Sequence, residues 1–503
     1  MKLLFHRQMV ALFVNKYYIH SMQNSSAFQR TIGLPAAISI VIGSIIGSGI
    51  FMRPAQMAGL LGSPLLIMVT WVVAGIFTLF AAMVSAEIGA MLPQTGGQYV
   101  FMRNMYGKFW SYLFGWANFS VINTAGTAGV AFIFAQYLEY FFKLPHFSLA
   151  TENSLVWHIP FIGNIFPLKD FGIKMMTIGV LGIFTLINFV STRVGGFVQT
   201  VFTIAKVLAI VLLIGGLFFS GHGSFGNFLH NSTNIKFSGT VALIAAMVAA
   251  TNGALQSYDG WQNMVIVAGE IKNPGKNIPR SLLAGVGLCV LIYISITAAM
   301  IYMLPIDTMA ASTLVASDAA QVAFGSFGGG LIALLICLSV LGTSNGNVLT
   351  GPRMTFAMAE EGNFFAAIGK VHPKHQTPGN ALILHFFIMV IMVISGSFDI
   401  LVDMYIFIAW LFNLMMITGL FILRKKMPDA ERPYKIRGYP WIPLILLLFT
   451  AFYLGFTLYN DITNYLDGKV KVMNSVLGLA LTALGIPFYI YFRWKYKEKK
   501  AAG

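Results

Sequence analysis

Long apolar stretches alternate with short polar segments along nearly the whole chain. A helix that crosses the hydrocarbon core of a bilayer needs roughly 20 predominantly apolar residues. Twelve stretches meet that requirement, and several are longer than one span, so we expect interfacial or tilted turns in them. The pattern predicts an all-α polytopic membrane protein with about twelve transmembrane helices, near residues 33–59, 64–91, 109–142, 173–190, 196–219, 239–267, 280–303, 323–360, 379–395, 399–423, 439–459 and 474–492.

Composition and charge support a membrane location. Apolar residues make up 57% of the chain and charged residues 10%, whereas a soluble globular protein is about 25% charged. These values exclude a soluble multidomain enzyme. The net charge of +15 would suggest nucleic-acid binding in a soluble chain, but in a membrane protein it indicates basic cytoplasmic segments.

The positions of the basic residues decide between these two interpretations. If the N-terminus is cytoplasmic, 24 of the 32 Lys and Arg residues fall in inside segments, seven fall outside, and Lys206 falls within the fifth span. This asymmetry follows the positive-inside rule. It predicts cytoplasmic termini, a lipid bilayer as the surroundings and no nucleic-acid partner. The first residues resemble a signal peptide in part, but are read equally well as an over-extended start before Met22.

Few residues indicate a disulfide, a metal site or a catalytic site. Cys289 and Cys337 lie inside predicted spans, so no disulfide framework is indicated. No zinc-protease, nucleotide-binding or nucleophile-elbow motif is present, and a metal site at His372 and His375 is not favoured. We therefore expect no cofactor, no metal and no enzymatic activity.

Two predicted spans contain residues that interrupt a helix. The first has Gly47-Ser48-Gly49 near its middle, and glycine costs about 1 kcal/mol relative to alanine inside a helix. The sixth contains Ser257-Tyr258-Asp259-Gly260-Trp261, where a turn-prone Asp-Gly pair lies at membrane depth. Backbone leaves the helix at that depth only where it is buried in protein or lines a cavity.

Interruptions at corresponding positions of two successive five-helix sets point to the binding site of a transporter. The freed N–H groups can bind a carboxylate and the freed C=O groups an ammonium, and an α-amino acid carries both. Close helix packing by small residues is the alternative, which is less favoured because both spans are interrupted. Asp259 either caps the second half of span six or contacts the substrate.

Lys206 is a cation near the expected centre of the bilayer. It lies ten residues past Gly196, or about 15 Å at the helical rise. A cation at that depth is costly and normally faces a cavity or a partner. Snorkelling to the interface is the alternative, which this depth disfavours.

Several long motifs resemble the L-type amino acid transporter family of the amino acid–polyamine–organocation superfamily. They are "IGSIIGSGIF", "AEIGAMLPQTGGQYVFMRNMYG", "YDGWQNMVIVAGEIKNPGKNIPR" and "LGTSNGNVLTGPRMTFAMAEEG". The likeness extends in order over about residues 31–460 and is strongest to bacterial serine/threonine exchangers, which also carry Tyr-Asp-Gly-Trp in span six.

The resemblance implies a leucine-transporter-type fold and sodium-independent exchange of amino acids by alternating access. Two inverted five-helix repeats would occupy 31–220 and 238–424, followed by two helices in 439–492, with cytoplasmic tails at 1–30 and 493–503. Lys206 matches the family's span-five lysine, whose ammonium stands where sodium-coupled relatives hold an ion.

The resemblance also implies the site residues. The span-one residues would bind the substrate carboxylate, and the backbone from Gln256 to Asp259 would receive the amino group. Thr343 or Ser344 of span eight would neighbour Lys206. The full set of implied substrate-binding residues is Ile46, Gly47, Ser48, Gly49, Gln256, Ser257, Tyr258, Asp259, Gly260 and Trp261.

Two departures from the family pattern affect these expectations. Gln256 stands where relatives usually have an aromatic residue that closes over the substrate, so the occluding contact and the preferred side chain are expected to differ. The stretch 143–172 lacks the cysteine by which animal members pair with a glycoprotein subunit. We therefore expect no disulfide-linked heavy subunit, and a bacterial inner membrane as the location.

The leading hypothesis is an exchanger of small neutral, serine/threonine-like amino acids. A proton-coupled or cationic amino acid permease is the alternative, because Asp259 also matches broad-range animal members that accept cationic substrates. A membrane-embedded enzyme is disfavoured because no catalytic constellation is present. An amino acid sensor is disfavoured because the predicted cytoplasmic loops and tails are short.

Overall fold

The structure is a computed structural model that describes residues 30, 32–47, 49–94, 96–160, 162–191, 206–208 and 210–501, without the side chains of Phe398 and 496–501. Most of the described chain is helical. In chain order the helices are α1 Leu34–Ile45, α2 Gly49–Leu61, α3 Pro64–Met91, α4 Gln98–Tyr106, α5 Lys108–Ala117, α6 Asn123–Leu138, α7 Leu149–Glu152, α8 Phe171–Val190, α9 at 206–208 and 210–219, α10 Thr240–Ser257, α11 Asn263–Ile266, α12 Pro274–Met303, α13 Ile306–Ala311, α14 Val315–Glu360, α15 Gly379–Ser395, α16 Phe398–Lys426, α17 Trp441–Leu466, α18 Asn474–Ala483 and α19 Gly485–Ala501.

Short elements connect these helices. A π-helical turn at Asn118–Ile122 joins α5 to α6, and 3₁₀ turns lie at Phe225–Phe228 and Ala268–Glu270. An antiparallel hairpin of β1 (Trp157–Ile159) and β2 (Gly163–Ile165) lies between α7 and α8, with Trp157 opposite Ile165.

The helices confirm the prediction of a polytopic all-α membrane protein. By length and composition, nine helices among the described residues can cross a bilayer, and α1 with α2 makes ten if this pair, bent by 41°, counts as one. α9 and α15 are shorter apolar helices. All twelve predicted stretches contain a described helix, although 196–205 of the fifth lies outside the described residues. The count of twelve spans and the inverted repeats stay predictions.

The helices pack in two groups that meet at the interrupted segments. In the first group, α12 packs against α1 and α3, and α10 packs against α2 and α3. In the second, α6 packs against α8, α14 and α15. Residues of both groups line one cavity at the breaks, so relative movement of the groups would change the shape of that cavity.

A buried carboxylate ties α3 to the end of α16. Glu87 is 1% exposed, and Arg424 donates to its two oxygens at 2.8 and 2.7 Å. The backbone N–H of Ile436 donates to the same carboxylate at 2.8 Å. A buried charge is tolerated when it is paired and hydrogen-bonded in this way. This contact holds one end of the first group of helices against α16.

Candidate functional site

Both predicted helix interruptions are present in the structure. α1 ends at Ile45 and α2 begins at Gly49, whereas α10 ends at Ser257 and the four-residue α11 begins at Asn263. Ser48, which the sequence places among the substrate-binding residues, lies outside the described residues. The two breaks lie next to each other, because α2 packs on α10 and α1 packs near α11.

Glycines at the two breaks allow each segment to approach the other. A Cβ atom at Gly49 would lie 2.9 Å from Ser257 Cα and 2.9 Å from Gln256 Oε1. Gly260 has a φ of +110°, and a Cβ there would lie 2.8 Å from the backbone carbon of Ser44. Such distances leave no room for a side chain, and the φ value favours glycine. The close helix packing that the sequence offered as an alternative is therefore present, and it occurs at the breaks themselves.

Lys206 holds the carbonyl groups at the end of α1. Its side chain is fully buried, and the ammonium donates to the carbonyls of Gly43 and Ile46, the latter at 2.8 Å. Thr343 Oγ1 lies 3.4 Å from the same nitrogen. The carbonyls at a helix C-terminus carry partial negative charge and lack helical partners, so a cation is stabilised there. The structure places Lys206 against a partner rather than at the interface.

The two predicted neighbours of Lys206 differ in their contacts. Thr343 lies at hydrogen-bonding distance from the ammonium. Ser344 is fully buried on the same helix, and its hydroxyl has no hydrogen-bond partner among the described residues. Adjacent residues on a helix point about 100° apart, so only one of the two can face Lys206.

Tyr293 of α12 is a site residue that the sequence reasoning missed. Its hydroxyl lies 2.9 Å from the carbonyl oxygen of Ile45 and 3.0 Å from that of Ser257, and can donate to either. It thus bridges the C-terminal ends of α1 and α10. In the sequence it is one tyrosine in an apolar span, and no local signal distinguishes it.

Tyr258 and Trp261 pack into the protein core rather than lining the site. Both are at most 2% exposed, and the Tyr258 ring lies 5.0 Å from Tyr293 and 5.5 Å from Trp71, measured between ring centroids. The Tyr258 hydroxyl donates to the backbone carbonyl of Trp71. Neither side chain lines the cavity between the two breaks, because the turn after α10 directs both rings away from it.

Asp259 and Gln262 order the turn after α10. Gln262 Nε2 donates to Asp259 Oδ1 at 2.9 Å, and the Gly260 N–H donates to Gln262 Oε1 at 3.0 Å. Both residues also line the cavity between the breaks. Asp259 thus orders the turn and lines the cavity, while its predicted roles as a cap of the second half of span six or as a substrate contact stay predictions.

A cavity of about 130 Å³ lies between the two breaks. Pockets for drug-sized ligands are about 300–1,000 Å³, so this space suits a much smaller molecule. Among the predicted site residues, it is lined by Gly47, Gly49, Gln256, Ser257, Asp259, Gly260 and Thr343. Among the residues that sequence reasoning missed, it is lined by Gln98, Asn118, Asn123, Gln262, Asn263, Asn347 and Tyr405. Six of these are amides, which offer both donors and acceptors. Apolar residues, among them Phe114, Val130 and Met354, line other parts of the wall.

The helix α4 presents one of these amides. Gln98 Nε2 donates to Asn413 Oδ1 at 3.0 Å, which fixes its side chain at the cavity. The next residue, Tyr99, donates its hydroxyl to Glu361 at 2.8 Å. Burial raises the pKa of Tyr99 and the Glu361 carboxylate adds to this, so Tyr99 stays protonated and able to donate.

The backbone at the cavity suits a zwitterion. The N-terminus of the 13-residue α2 begins at Gly49, where unpaired N–H groups favour a carboxylate. The C-terminus of α10 ends at Ser257, where the backbone carbonyls carry a partial negative charge that favours an ammonium. One of them, the Ser257 carbonyl, also accepts from the Tyr293 hydroxyl. Both ends line the same cavity, so the site has complementary charge for a small molecule with both groups.

Comparison with known proteins gives a consistent result. The family model described as amino acid permease matches residues 32–481. The serine/threonine exchanger of Bacillus subtilis is 30% identical over 488 residues, which cover 96% of this chain and all of the relative. The mouse b(0,+)-type amino acid transporter 1 is 29% identical, over 86% of this chain and 84% of the relative. The rabbit large neutral amino acids transporter small subunit 2 is 30% identical, over 94% of this chain and 82% of the relative.

Proposed function

Because the chain belongs to the amino acid permease family, we propose that it exchanges small neutral amino acids across a membrane by alternating access, without sodium. Family membership excludes the membrane-embedded enzyme, since the relatives are transporters. The observation that carries the proposal is the cavity between two broken helices, whose backbone ends have opposite partial charge. A sensor is not favoured, because the cytoplasmic loops and tails predicted from the sequence are short.

The substrate's main-chain groups determine its orientation in this proposal. The carboxylate binds backbone N–H groups at Gly47 and Gly49, and Ser48 belongs to the same segment by sequence. The ammonium binds carbonyl oxygens between Gln256 and Asp259. The small volume of the cavity and its many amides favour a short polar side chain, as in serine or threonine. The name of the Bacillus subtilis relative, a serine/threonine exchanger, agrees with this choice.

Lys206 explains transport without sodium. Its ammonium binds the carbonyls of Gly43 and Ile46, which are hard oxygen ligands of the kind that a metal cation would use. The fixed charge therefore organises the end of α1 with no ion from solution. Exchange follows if the empty protein crosses between its two states more slowly than the loaded one.

We further propose a bacterial inner membrane, cytoplasmic termini and the two inverted five-helix repeats at 31–220 and 238–424. The distribution of basic residues supports the orientation. No disulfide-linked subunit is proposed, because Cys289 and Cys337 are both buried and at most 3% exposed. One relative is named as a small subunit. The proposal that this chain has no disulfide-linked partner therefore needs its own test.

The proposal is tested with purified protein in liposomes. The liposomes contain serine, labelled serine or threonine is added outside, and sodium is omitted on both sides. We expect uptake that requires the internal amino acid. Uptake into empty liposomes that follows a pH gradient would contradict exchange and support the proton-coupled alternative.

A second candidate substrate class is cationic amino acids, which one observation favours: the Asp259 carboxylate lines the cavity. We expect Asp259→Ala to change the order of substrate preference in the same assay, with uptake of lysine and arginine falling about tenfold relative to serine. Loss of one charge contact of about 1.4 kcal/mol gives that factor. Asp259→Asn is the matched control, because it removes the charge and keeps an oxygen for the Gln262 donor. An unchanged order in both variants would limit Asp259 to ordering the turn.

A further inference from the structure

The site cavity is separated from a second, larger cavity on the side of α2 away from the break. This outer vestibule has a volume of about 780 Å³. It is lined by residues that include Arg53, Gln56, Gln136, Glu139, Asp170 and Asp399. By the proposed orientation it faces the outside, since α2 leads away from the cytoplasmic end of α1. The layer between the two cavities therefore controls access of outside substrate to the site.

Arg53 lies in that layer. The sequence places it with the outside basic residues, yet its side chain is 1% exposed. Arg53 lines the vestibule and Gln256 lines the site cavity, and Arg53 Nε donates to Gln256 Oε1 at 3.1 Å. This hydrogen bond crosses from α2 to α10, between the two cavities.

The backbone on both sides of this hydrogen bond is shaped to permit it. A Cβ at Gly253 would lie 3.0 Å from Arg53 Cδ and 3.5 Å from Arg53 Nε, so the glycine leaves room for the arginine stem on α10. On the other helix, Gly49 lies against Gln256 and Ser257. The two glycines bring α2 and α10 into close contact on both sides of the bond.

Arg53 has partners on the vestibule side as well. Its Nη1 donates to Gln56 and lies 3.6 Å from Asp399 Oδ1, whose side chain is 62% exposed. If α2 and α10 separate, the contact to Gln256 breaks, whereas Gln56 lies on α2 itself and stays beside the guanidinium. The Arg53 guanidinium therefore keeps a polar partner when the path opens, which avoids the free-energy cost of a buried unpaired charge.

We propose that the Arg53–Gln256 hydrogen bond is the outer gate of this transporter, in place of the aromatic residue expected at position 256. Arg53 is a positioning residue: in the closed state it joins α2 to α10, and in the open state it is held by Gln56 and Asp399. The proposal rests on the proposed transport function, but the state of the gate is measurable without any substrate.

The test measures how fast a cysteine in the site cavity reacts with a reagent from outside. Val130→Cys places the thiol in the cavity lining, and the two natural cysteines are buried. Intact cells are treated with a membrane-impermeant methanethiosulfonate in the absence of amino acid, and modification is followed over time. We expect Gln256→Ala and Arg53→Ala each to raise the rate about tenfold, the factor for one hydrogen bond from a charged donor.

Three further variants make the test specific. The double variant Arg53→Ala with Gln256→Ala should react no faster than the single ones, since each removes the same bond. Gln256→Glu should slow the reaction below that of the parent, because a carboxylate strengthens the contact with the guanidinium. Gln136→Ala, at the vestibule wall, is the control and should leave the rate unchanged.

Unchanged rates in both alanine variants, or alanine effects that multiply in the double variant, would overturn the gate. So would faster labelling of Gln256→Glu. The Glu variant keeps the proposal falsifiable if an alanine variant fails to insert. Because labelling is measured without added amino acid, these outcomes do not depend on whether the liposome assay detects exchange.

Discussion

Lys206→Met is expected to lower the rate of amino acid exchange at least a hundredfold, on the order of the loss of two hydrogen bonds from a charged donor at about 1.5–3 kcal/mol each. Methionine has a similar length but no donor, so the carbonyls of Gly43 and Ile46 lose their partner while buried. An unpaired end of α1 no longer has a defined position beside the cavity. The measurement is sodium-free serine exchange in liposomes, normalised to the amount of inserted protein.

The chain provides a matched control for this substitution. Lys174 of α8 is also buried, at 3% exposed, and its ammonium donates at 3.1 Å to the carbonyls of Phe166, Pro167 and Ile394. Lys174→Met therefore breaks the same kind of contact away from the cavity. We expect it to lower thermal stability while exchange per folded protein changes by less than about threefold. Wild-type exchange in Lys206→Met would show that its contacts are structural only.

Gly49→Ala is expected to lower exchange at least tenfold. The added Cβ would lie 2.9 Å from Ser257 Cα, and a backbone atom cannot move aside as a side-chain end can. Overpacking of this kind typically costs about 1–3 kcal/mol. Here the cost is met by separating α2 from α10, which also moves the N–H groups proposed to bind the carboxylate away from the carbonyls proposed to bind the ammonium. Exchange kinetics at several serine concentrations should show a raised apparent KM together with a lower maximal rate.

Gly59→Ala is the control, because it makes the same substitution on the same helix. A Cβ there would lie 3.9 Å from the carbonyl of Ala310, an ordinary contact. We expect exchange within about twofold of the wild type. Equal losses in both variants would mean that α2 tolerates no added methyl group at either position. The loss in Gly49→Ala would then not be caused by its contact with Ser257.

Local sequence predicts most of the membrane fold and the positions of the two helix breaks at the candidate site. Hydrophobicity over roughly 20 residues is enough to specify a span, because the bilayer imposes the same length on each helix. The two interruptions were predicted at Gly47 to Gly49 and at Ser257 to Trp261, and the structure confirms both. Glycine and an Asp-Gly pair act through their own backbone, so their effect needs no knowledge of the neighbours.

The contacts between distant segments could not be predicted in this way. Tyr293, which bridges the ends of α1 and α10, and the amides that line the cavity have no periodicity or motif that marks them. The sequence also placed Tyr258 and Trp261 with the substrate, although both side chains pack into the core. The direction in which a side chain points at a break depends on turn geometry, which residue identity alone does not specify.

The same distinction between local sequence and tertiary contacts applies to the basic residues. By itself the sequence predicts which of them orient the protein, because the positive-inside rule depends only on position relative to the spans. It also marked Lys206 as exceptional through its depth. Only the tertiary structure decided what Lys206 binds, and that Arg53 is buried against Gln256, since these partners lie 137 or more positions away along the chain. A charge in a low-dielectric interior is stabilised by the groups within a few ångströms of it, and it is folding that brings those groups together.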